Sequence, residues 1–250
     1  MKSRIPDTSA AWAVWGASRR GASHAALGLP NQDSCLFRRY PWGELVVVAD
    51  GLGSCSMSQT GSACICRAVA RAACFQARLG SVSALNTARL AHAYWCAMIL
   101  PHTVEECATT CLFAVRYGDR LSMGRLGDGI AVALGEGGNG GRVMLDSKAD
   151  SFLNITDCLK GEFRAQEWEL AEMCAGGCRA VLLSTDGMTG GCDCKAAREF
   201  AVQVVTHYTG MKPAGRSAAL LRDLRNFSRP DFTDDCTVAC MNREGDVADG

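Results

Sequence analysis

The chain has 250 residues, and its 26 Lys and Arg are matched by 26 Asp and Glu, so the formal net charge is zero. That length suits one large domain or two small ones, with enough apolar surface to bury a core. The neutral balance argues against a chain built to neutralise nucleic acid or an anionic membrane. A hydrophobic share of 48% against 21% charged residues excludes wholesale disorder.

In chain order, Trp12 to Val14 and Ser34 to Phe37 predict short strands separated by a polar segment, Gly16 to Asp33. Leu45 to Ala49 is apolar and mostly β-branched, which predicts a buried strand stopped by Asp50-Gly51. After a loop of small residues, Ser58 to Leu79 reads as a helix, and a second helix from about Ser83 to Leu100 is stopped by Pro101. Thr110 to Arg116, Arg120 to Leu126 and Ile130 to Leu134 predict strands. Their links, Tyr117-Gly118-Asp119 and Gly127-Asp128-Gly129, are so short that antiparallel neighbours are expected across both. The glycine-rich stretch from Gly135 to Gly141 lacks the Lys-Ser/Thr ending of a nucleotide loop and predicts a hairpin connection to Val143–Leu145.

Asp146 to Gly177 reads as irregular, with a helical piece at Ala165 to Met173. A second buried strand, Ala180 to Thr185, again ends in Asp-Gly. Two amphipathic helices follow, Lys195 to Tyr208 and Ala214 to Phe227, and Thr237 to Met241 is the last strand. Antiparallel strands with helix pairs on either side predict an α+β layered fold rather than a doubly wound parallel sheet.

Fifteen cysteines are unusual. No Cys-x-x-Cys pair suggests a zinc site, and many lie among Ala and Val, where Cys acts as a small buried hydrophobe. Met1-Lys2-Ser3-Arg4 is not followed by an apolar stretch, so no secretory signal is expected. No run approaches the ~18 apolar residues of a membrane helix. The chain reads as cytoplasmic, with reduced thiols.

Asp50, Asp186 and the pair Asp234-Asp235 all sit at ends of apolar strands. A rigid sheet can converge such side chains on one rim, where several carboxylates would repel one another and call for hard cations such as Mg²⁺ or Mn²⁺. Taken singly, each Asp-Gly is a common turn dipeptide, and Asp128-Gly129 is itself a good hairpin turn.

Six short motifs occur in order. They are Asn31-Gln32-Asp33, Val48-Ala49-Asp50-Gly51-Leu52-Gly53-Ser54 with Gly61 beyond, Ala108-Thr109-Thr110, Leu126-Gly127-Asp128-Gly129, Leu183-Ser184-Thr185-Asp186-Gly187 and Asp234-Asp235-Cys236-Thr237-Val238. Together they resemble the type 2C, metal-dependent serine/threonine protein phosphatases over about residues 12 to 242. Gly21-Ala22-Ser23-His24, Leu29-Pro30 and Phe152-Leu153-Asn154-Ile155-Thr156 resemble a compact bacterial branch of that family.

The resemblance implies a four-layer α/β/β/α sandwich, two packed antiparallel sheets flanked by helix pairs. It implies a single phosphatase domain spanning residues 1–250, with a variable flap at about 146–177 and short tails. Two or three Mn²⁺ or Mg²⁺ ions are expected. Asp50 would bridge two of them, the Gly51 carbonyl would bind one, and Asp186 and Asp234 would complete the second site. Asp33 would act through water, and Asp128 with Asp186 would form a weaker third site. Two cations roughly 3.5–4 Å apart would make hydroxide available near neutral pH for in-line attack on phosphorus.

A phosphoprotein substrate and a cognate serine/threonine kinase are the expected partners, with no nucleic acid, no membrane and a monomeric state. Where many members carry a phosphate-holding arginine, this chain has Gly28; Arg19, Arg20 or His24 could replace it, and His24 is favoured, although a hydrogen-bonded loop histidine is an equal alternative. Leu52 stands where a histidine general acid often follows the metal motif. Asp235 replaces a common Asn, a change that removes no ligand. The departure at Gly28 motivates a rival reading, an inactive pseudophosphatase that binds phosphoproteins or regulates a kinase, against which the intact Asp50, Asp186 and Asp234 argue. A third reading, a thiol phosphatase using Cys158 and Arg164, is disfavoured by a single glycine in the loop and by Asp157 and Glu162, which would raise the thiol pKa.

Overall fold

The computed structural model describes residues 11–136, 141–145, 157–226 and 233–245. The Phe152–Thr156 motif, Phe227 and part of the expected flap lie outside the described residues. The chain runs through β1 (Trp12–Arg19), α1 (Ala22–Ala26), β2 (Asp33–Tyr40), β3 (Gly43–Asp50), α2 (Ser58–Arg78), α3 (Ala84–Met98), β4 (Cys111–Tyr117) and β5 (Arg120–Leu126). It continues through β6 (Ile130–Gly135), β7 (Gly141–Leu145), β8 (Glu169–Cys174), β9 (Cys178–Ser184), α4 (Asp186–Thr189), α5 (Cys194–Thr209), α6 (Pro213–Asn226) and β10 (Cys236–Arg243).

The strands form two five-stranded antiparallel sheets, in the orders β1-β10-β9-β6-β7 and β2-β3-β4-β5-β8. The apolar strands are apolar throughout because each faces two hydrophobic layers. In β3, Leu45, Val47 and Ala49 pack under α2 and α3, while Val46 and Val48 face the other sheet. In β9, Ala180 and Leu182 pack under α5 and α6, and Val181 and Leu183 face inward. A strand alternates faces with a period of two, so a strand buried on both sides cannot show polar alternation. The result is the α+β sandwich of four layers with three apolar seams.

Cysteine serves this packing. All fifteen are free, and Cys64, Cys66, Cys107, Cys111, Cys178, Cys236 and Cys240 are buried in the seams. The small residues of α2 let it approach its neighbours closely. At Gly61 any side chain would strike the Cys107 carbonyl, so this glycine sets how near α2 lies to the segment before β4. Asp193 caps α5, its Oδ1 accepting the Ala196 N–H at 2.7 Å.

Two expectations fail. The link Gly127-Asp128-Gly129 does not join antiparallel neighbours: β5 belongs to one sheet and β6 to the other, where β6 pairs with β7 and β9. Both glycines have positive φ, 88° and 101°, a backbone that lets the chain leave one sheet and enter the other within three residues. The helical piece predicted at Ala165 to Met173 is a 3₁₀ turn, Ala165–Glu167, followed by the edge strand β8 paired to β5. Its Glu, Leu, Ala and Met favour helix locally, but β5 offers an open edge, and Leu170 and Met173 fill seams on opposite faces. Asp186, just after β9, opens the short helix α4, and the polar segment after β1 contains α1. The Gly135–Gly141 stretch does link antiparallel neighbours, Leu134 pairing with Gly141.

Candidate active site

The ends of four strands and the link between the sheets meet at one rim. The β2–β3 register sets Asp33 directly across from Asp50. The backbone of Asp50 is fixed on both sides: its N–H donates to Thr110 Oγ1 at 2.9 Å, and its carbonyl accepts from Thr110 N–H and Thr109 Oγ1, each at 2.8 Å. Gly51 donates its N–H to the Gln32 carbonyl at 3.2 Å. A side chain there would come within 2.6 Å of the Ser58 carbonyl, so the turn out of β3 admits only glycine.

From the other sheet, β9 delivers Asp186 and β10 follows Asp234. Thr185 ties the sheets beneath these acids. Its hydroxyl donates to Asp33 Oδ2 at 2.8 Å and accepts the Thr237 N–H at 3.1 Å. Arg125, at the end of β5, donates from Nη1 to the Gly127 carbonyl and from Nε to Glu169 Oε2, which braces the crossover carrying Asp128. An open cleft of ≈ 180 Å³ results, with Asp50, Asp128, Asp186, Asp234, His24 and Gln32 around it and Gly51 to Gly53 forming one wall.

Electrostatics make the site unstable by itself. Burial pushes the Asp33 carboxyl up from 3.8 to about 7; the Asp235 charge adds to this, and the Thr237 and Thr185 hydroxyls oppose it. Asp50 is raised well above the ordinary carboxylate range, first by burial and then by the charges of Asp33, Asp186 and Asp234. Two oxygens, Asp33 Oδ1 and Gln32 Oε1, are buried without a hydrogen-bond partner among the described residues. Converging carboxylates and orphaned oxygens, with no sulfur donor in the cleft lining, fit hard divalent cations.

Basic groups are scarce here. Gly28 has φ 70° and nothing near the position of a side chain. Arg20 donates to the Leu29 carbonyl at 3.2 Å, and Arg19 donates to the Leu224 carbonyl at 3.0 Å at the end of α6. Neither lines the cleft; His24 is its only basic side chain among the described residues. His24 Nδ1 lies 2.9 Å from Asp235 Oδ2, and Nε2 lies 4.0 Å from Asp234 Oδ1. His24, Asp234 and Asp235 have metal-like spacing, but Asp235 already accepts the Gly21 and Gln32 N–H groups, each at 2.6 Å. Asp235 is thus a hydrogen-bonding hub.

Leu52 lines the wall and offers no proton. Cys158 lies outside the cleft lining, and burial raises its thiol pKa, which keeps it protonated. Gln32, Thr109, Thr110, Thr185 and Asp235 were not singled out from sequence for the roles they play. For Gln32, Thr185 and Asp235 the signal was adjacency to an acid, and for Thr109 and Thr110 it was the motif Ala108-Thr109-Thr110.

Two antiparallel sheets between helix layers, with an acidic cleft at their shared rim, are the architecture of a type 2C phosphatase. The chain belongs to this family: the model of "Protein phosphatase 2C", a family of serine/threonine phosphatases, matches residues 20–225. No curated protein matches the chain in sequence. Among solved structures it is similar to the Mycobacterium tuberculosis serine/threonine phosphatase PstP/Ppp, at 20% identity and TM-score 0.63, covering 94% of this chain and 99% of that one. It is similar to the serine/threonine phosphatase Stp1 from Staphylococcus aureus, at 13% identity and TM-score 0.62, covering 98% and 100%. The catalytic domain of PstP in complex with two manganese ions matches at 20% identity and TM-score 0.56, covering 93% and 99%. No helix among the described residues is long and apolar enough to cross a membrane.

Proposed function

We propose that this chain hydrolyses phosphoserine and phosphothreonine in proteins, using two or three Mn²⁺ or Mg²⁺ ions held at the acidic cleft. The observation that carries this reading is the convergence of Asp50, Asp128, Asp186 and Asp234 on one cleft, with Asp33 behind them and Asp50 raised by burial and then by its acidic neighbours. Asp50 and the Gly51 carbonyl, Asp186 and Asp234 would hold two ions, Asp33 would act through water, and Asp128 with Asp186 would serve a third. When bound, such ions make hydroxide available near neutral pH and neutralise charge on the transferring phosphoryl group.

The chain's own groups do the rest. Thr109 and Thr110 hold the Asp50 backbone, and Thr185 holds Asp33. His24 contacts the phosphate of the substrate. Leu52 cannot protonate the leaving oxygen, so that proton comes from water. The reading takes residues 1–250 as one phosphatase domain, with the resemblance over about 12–242 and substrate choice in the segment 146–177, which includes the edge strand β8. A serine/threonine kinase is the class of enzyme that must supply the substrate.

The deciding experiment is hydrolysis of a phosphothreonine peptide under reducing conditions with Mn²⁺, with Mg²⁺ and with EDTA. Turnover that requires the ion and falls sharply in Asp50→Asn supports the reading; full metal-dependent activity in that variant overturns the site assignment. A second reading, a phosphoprotein-binding pseudophosphatase, rests on the empty surroundings of Gly28 and the absence of arginine among the described cleft residues. It prevails if neither the peptide nor an aryl phosphate is cleaved at high Mn²⁺ and calorimetry finds no metal site.

A further inference from the structure

The segment Ala25-Ala26-Leu27-Gly28-Leu29-Pro30 is exposed at every residue and carries no polar side chain. No exposed run among the described residues is longer. Leu27 is 73% exposed and Leu29 37%, whereas the other large exposed hydrophobics, Phe75, Leu79, Leu85 and Leu100, belong to α2, α3 and their ends. His24 and Gln32, which bracket the segment, both line the cleft, so the segment forms the rim between them. Apolar side chains held in water stabilise nothing by themselves, and a patch of them marks a contact to be made.

The rim is a built structure. Leu27 N–H donates to the Ser23 carbonyl at 3.1 Å, Gly28 N–H to the Ala25 carbonyl at 3.2 Å and Leu29 N–H to the His24 carbonyl at 2.9 Å. Arg20 Nη1 donates to the Leu29 carbonyl at 3.2 Å. The Ser23 N–H and hydroxyl both donate to the Thr233 carbonyl, at 2.9 and 2.7 Å, and Asn31 Nδ2 donates to Ser18 Oγ at 2.7 Å. The segment is therefore pinned on both flanks. Gly28, between the leucines, has nothing within 4 Å of a side-chain position, so the space over the rim is open.

We propose that Leu27 and Leu29 form a specificity shelf that seats an apolar residue of the substrate protein next to its phosphoserine or phosphothreonine. The proposal rests on the phosphatase reading above and adds a determinant to the segment 146–177. Pockets that enclose a drug-sized ligand measure about 300–1,000 Å³. The cleft, at ≈ 180 Å³, takes the phosphorylated side chain, and the residues beside it in the substrate lie on the rims. The occupant is thus the substrate's own flanking chain. On the shelf an apolar flank removes hydrocarbon from water on both partners, and a rim already held in place loses little entropy on binding. A charged flank would be desolvated there without a partner, because the segment carries no charge and the guanidinium of Arg20 is spent on the Leu29 carbonyl.

The test uses the whole chain at saturating Mn²⁺ under reducing conditions. Two phosphothreonine peptides are compared that differ only in carrying leucine or serine on both sides of the phosphothreonine. The leucine peptide is expected to have the higher kcat/KM by roughly tenfold, the scale of an apolar group in a matching site, with most of the difference in KM. This preference is a ratio within one protein, so folded fraction and metal loading cancel from it. Leu27→Ser should lower it, and Leu27→Ser combined with Leu29→Ser should abolish it. Leu27→Met, of similar volume, should keep it.

Equal turnover of the two peptides by the unaltered chain overturns the proposal, and so does a preference that survives the double substitution. If the double variant does not fold, Leu27→Ser and Leu27→Met still decide, since Leu27 is the more exposed of the pair. Self-association in sedimentation that the double substitution abolishes would assign the shelf to a second copy of this chain and overturn the proposal. No turnover of either peptide or of an aryl phosphate overturns the phosphatase reading and the shelf with it. Turnover of both peptides with equal efficiency overturns the shelf alone.

Discussion

The two sheets contribute to the cleft in different ways. From β2 and β3 come Asp33 and Asp50, facing each other in register, with Asp33 only 5% exposed and the Asp50 backbone held by two threonines. From the other sheet come Asp186, at the start of a four-residue helix, and Asp234, whose side chain is 63% exposed. One side is deep and fixed, the other open. The deep side carries the electrostatic cost, because desolvation penalises charge most where water is absent. It teaches that the acids are unequal: burial raises the cost of ionising the deep pair, while Asp234 on the open side stays in contact with water.

The comparison breaks most directly at Asp50. Asp50→Asn is expected to lower metal-dependent turnover on the order of a thousandfold, the scale of removing a principal electrostatic element. Asp234→Asn should lose less and should be partly recovered by raising Mn²⁺, read as activity against metal concentration. Equal, unrecoverable losses would erase the distinction between the two sides.

The deep side is also sharpened by pH. The folded pKa of Asp33 is raised from 3.8 to about 7, so the folded state binds a proton that the unfolded chain has released. The associated stability is present below 3.8 and is lost as pH rises through about 7. Metal-free protein in EDTA should therefore melt at a lower temperature at pH 8 than at pH 5. Asp33→Asn should flatten that slope, as measured by Tm across the range. Added Mn²⁺ should raise Tm most at the high-pH end, where the acids are ionised.

A smaller effect is expected at Thr110. Thr110→Val leaves the Asp50 N–H without its 2.9 Å acceptor, a loss of about 1–3 kcal/mol in stability. It should also weaken Mn²⁺ binding by about 10- to 100-fold, the range for partners that orient a ligand, as read by calorimetry. The smallest effect belongs to Cys158→Ser, away from both sides. Turnover should stay within about twofold, as for a substitution outside the site.

Much of this fold was legible because its strands are double-sided. Leu45 to Ala49 and Ala180 to Leu183 are continuous apolar runs, and only a strand with a seam on each face needs one. The cysteines read as core residues for the same reason. The edge strand β8 was not legible, because Glu169-Leu170-Ala171-Glu172-Met173 is a good helical string. What makes it a strand is distant: pairing with β5, and Glu172, which accepts from Ser122 Oγ at 2.7 Å and from the Ala84 N–H at the start of α3 at 2.6 Å. The acids at strand ends could be found one by one, and their order resembled a family. The hub at Asp235 could not, since its three partners are more than two hundred residues away in sequence.

The sequence by itself determined the apolar layers, most of the helices and strands, and the positions where an acid ends or follows a strand. Those are local facts, written in periodicity and in turn residues. Only the tertiary structure decided which sheet each strand joins, that Gly127 to Gly129 crosses between sheets, and that Asp33 sits buried across from Asp50. It alone placed His24 under the control of Asp235. These depend on packing between residues far apart in the chain, and a buried carboxylate takes its character from what excludes water around it, which no local pattern records.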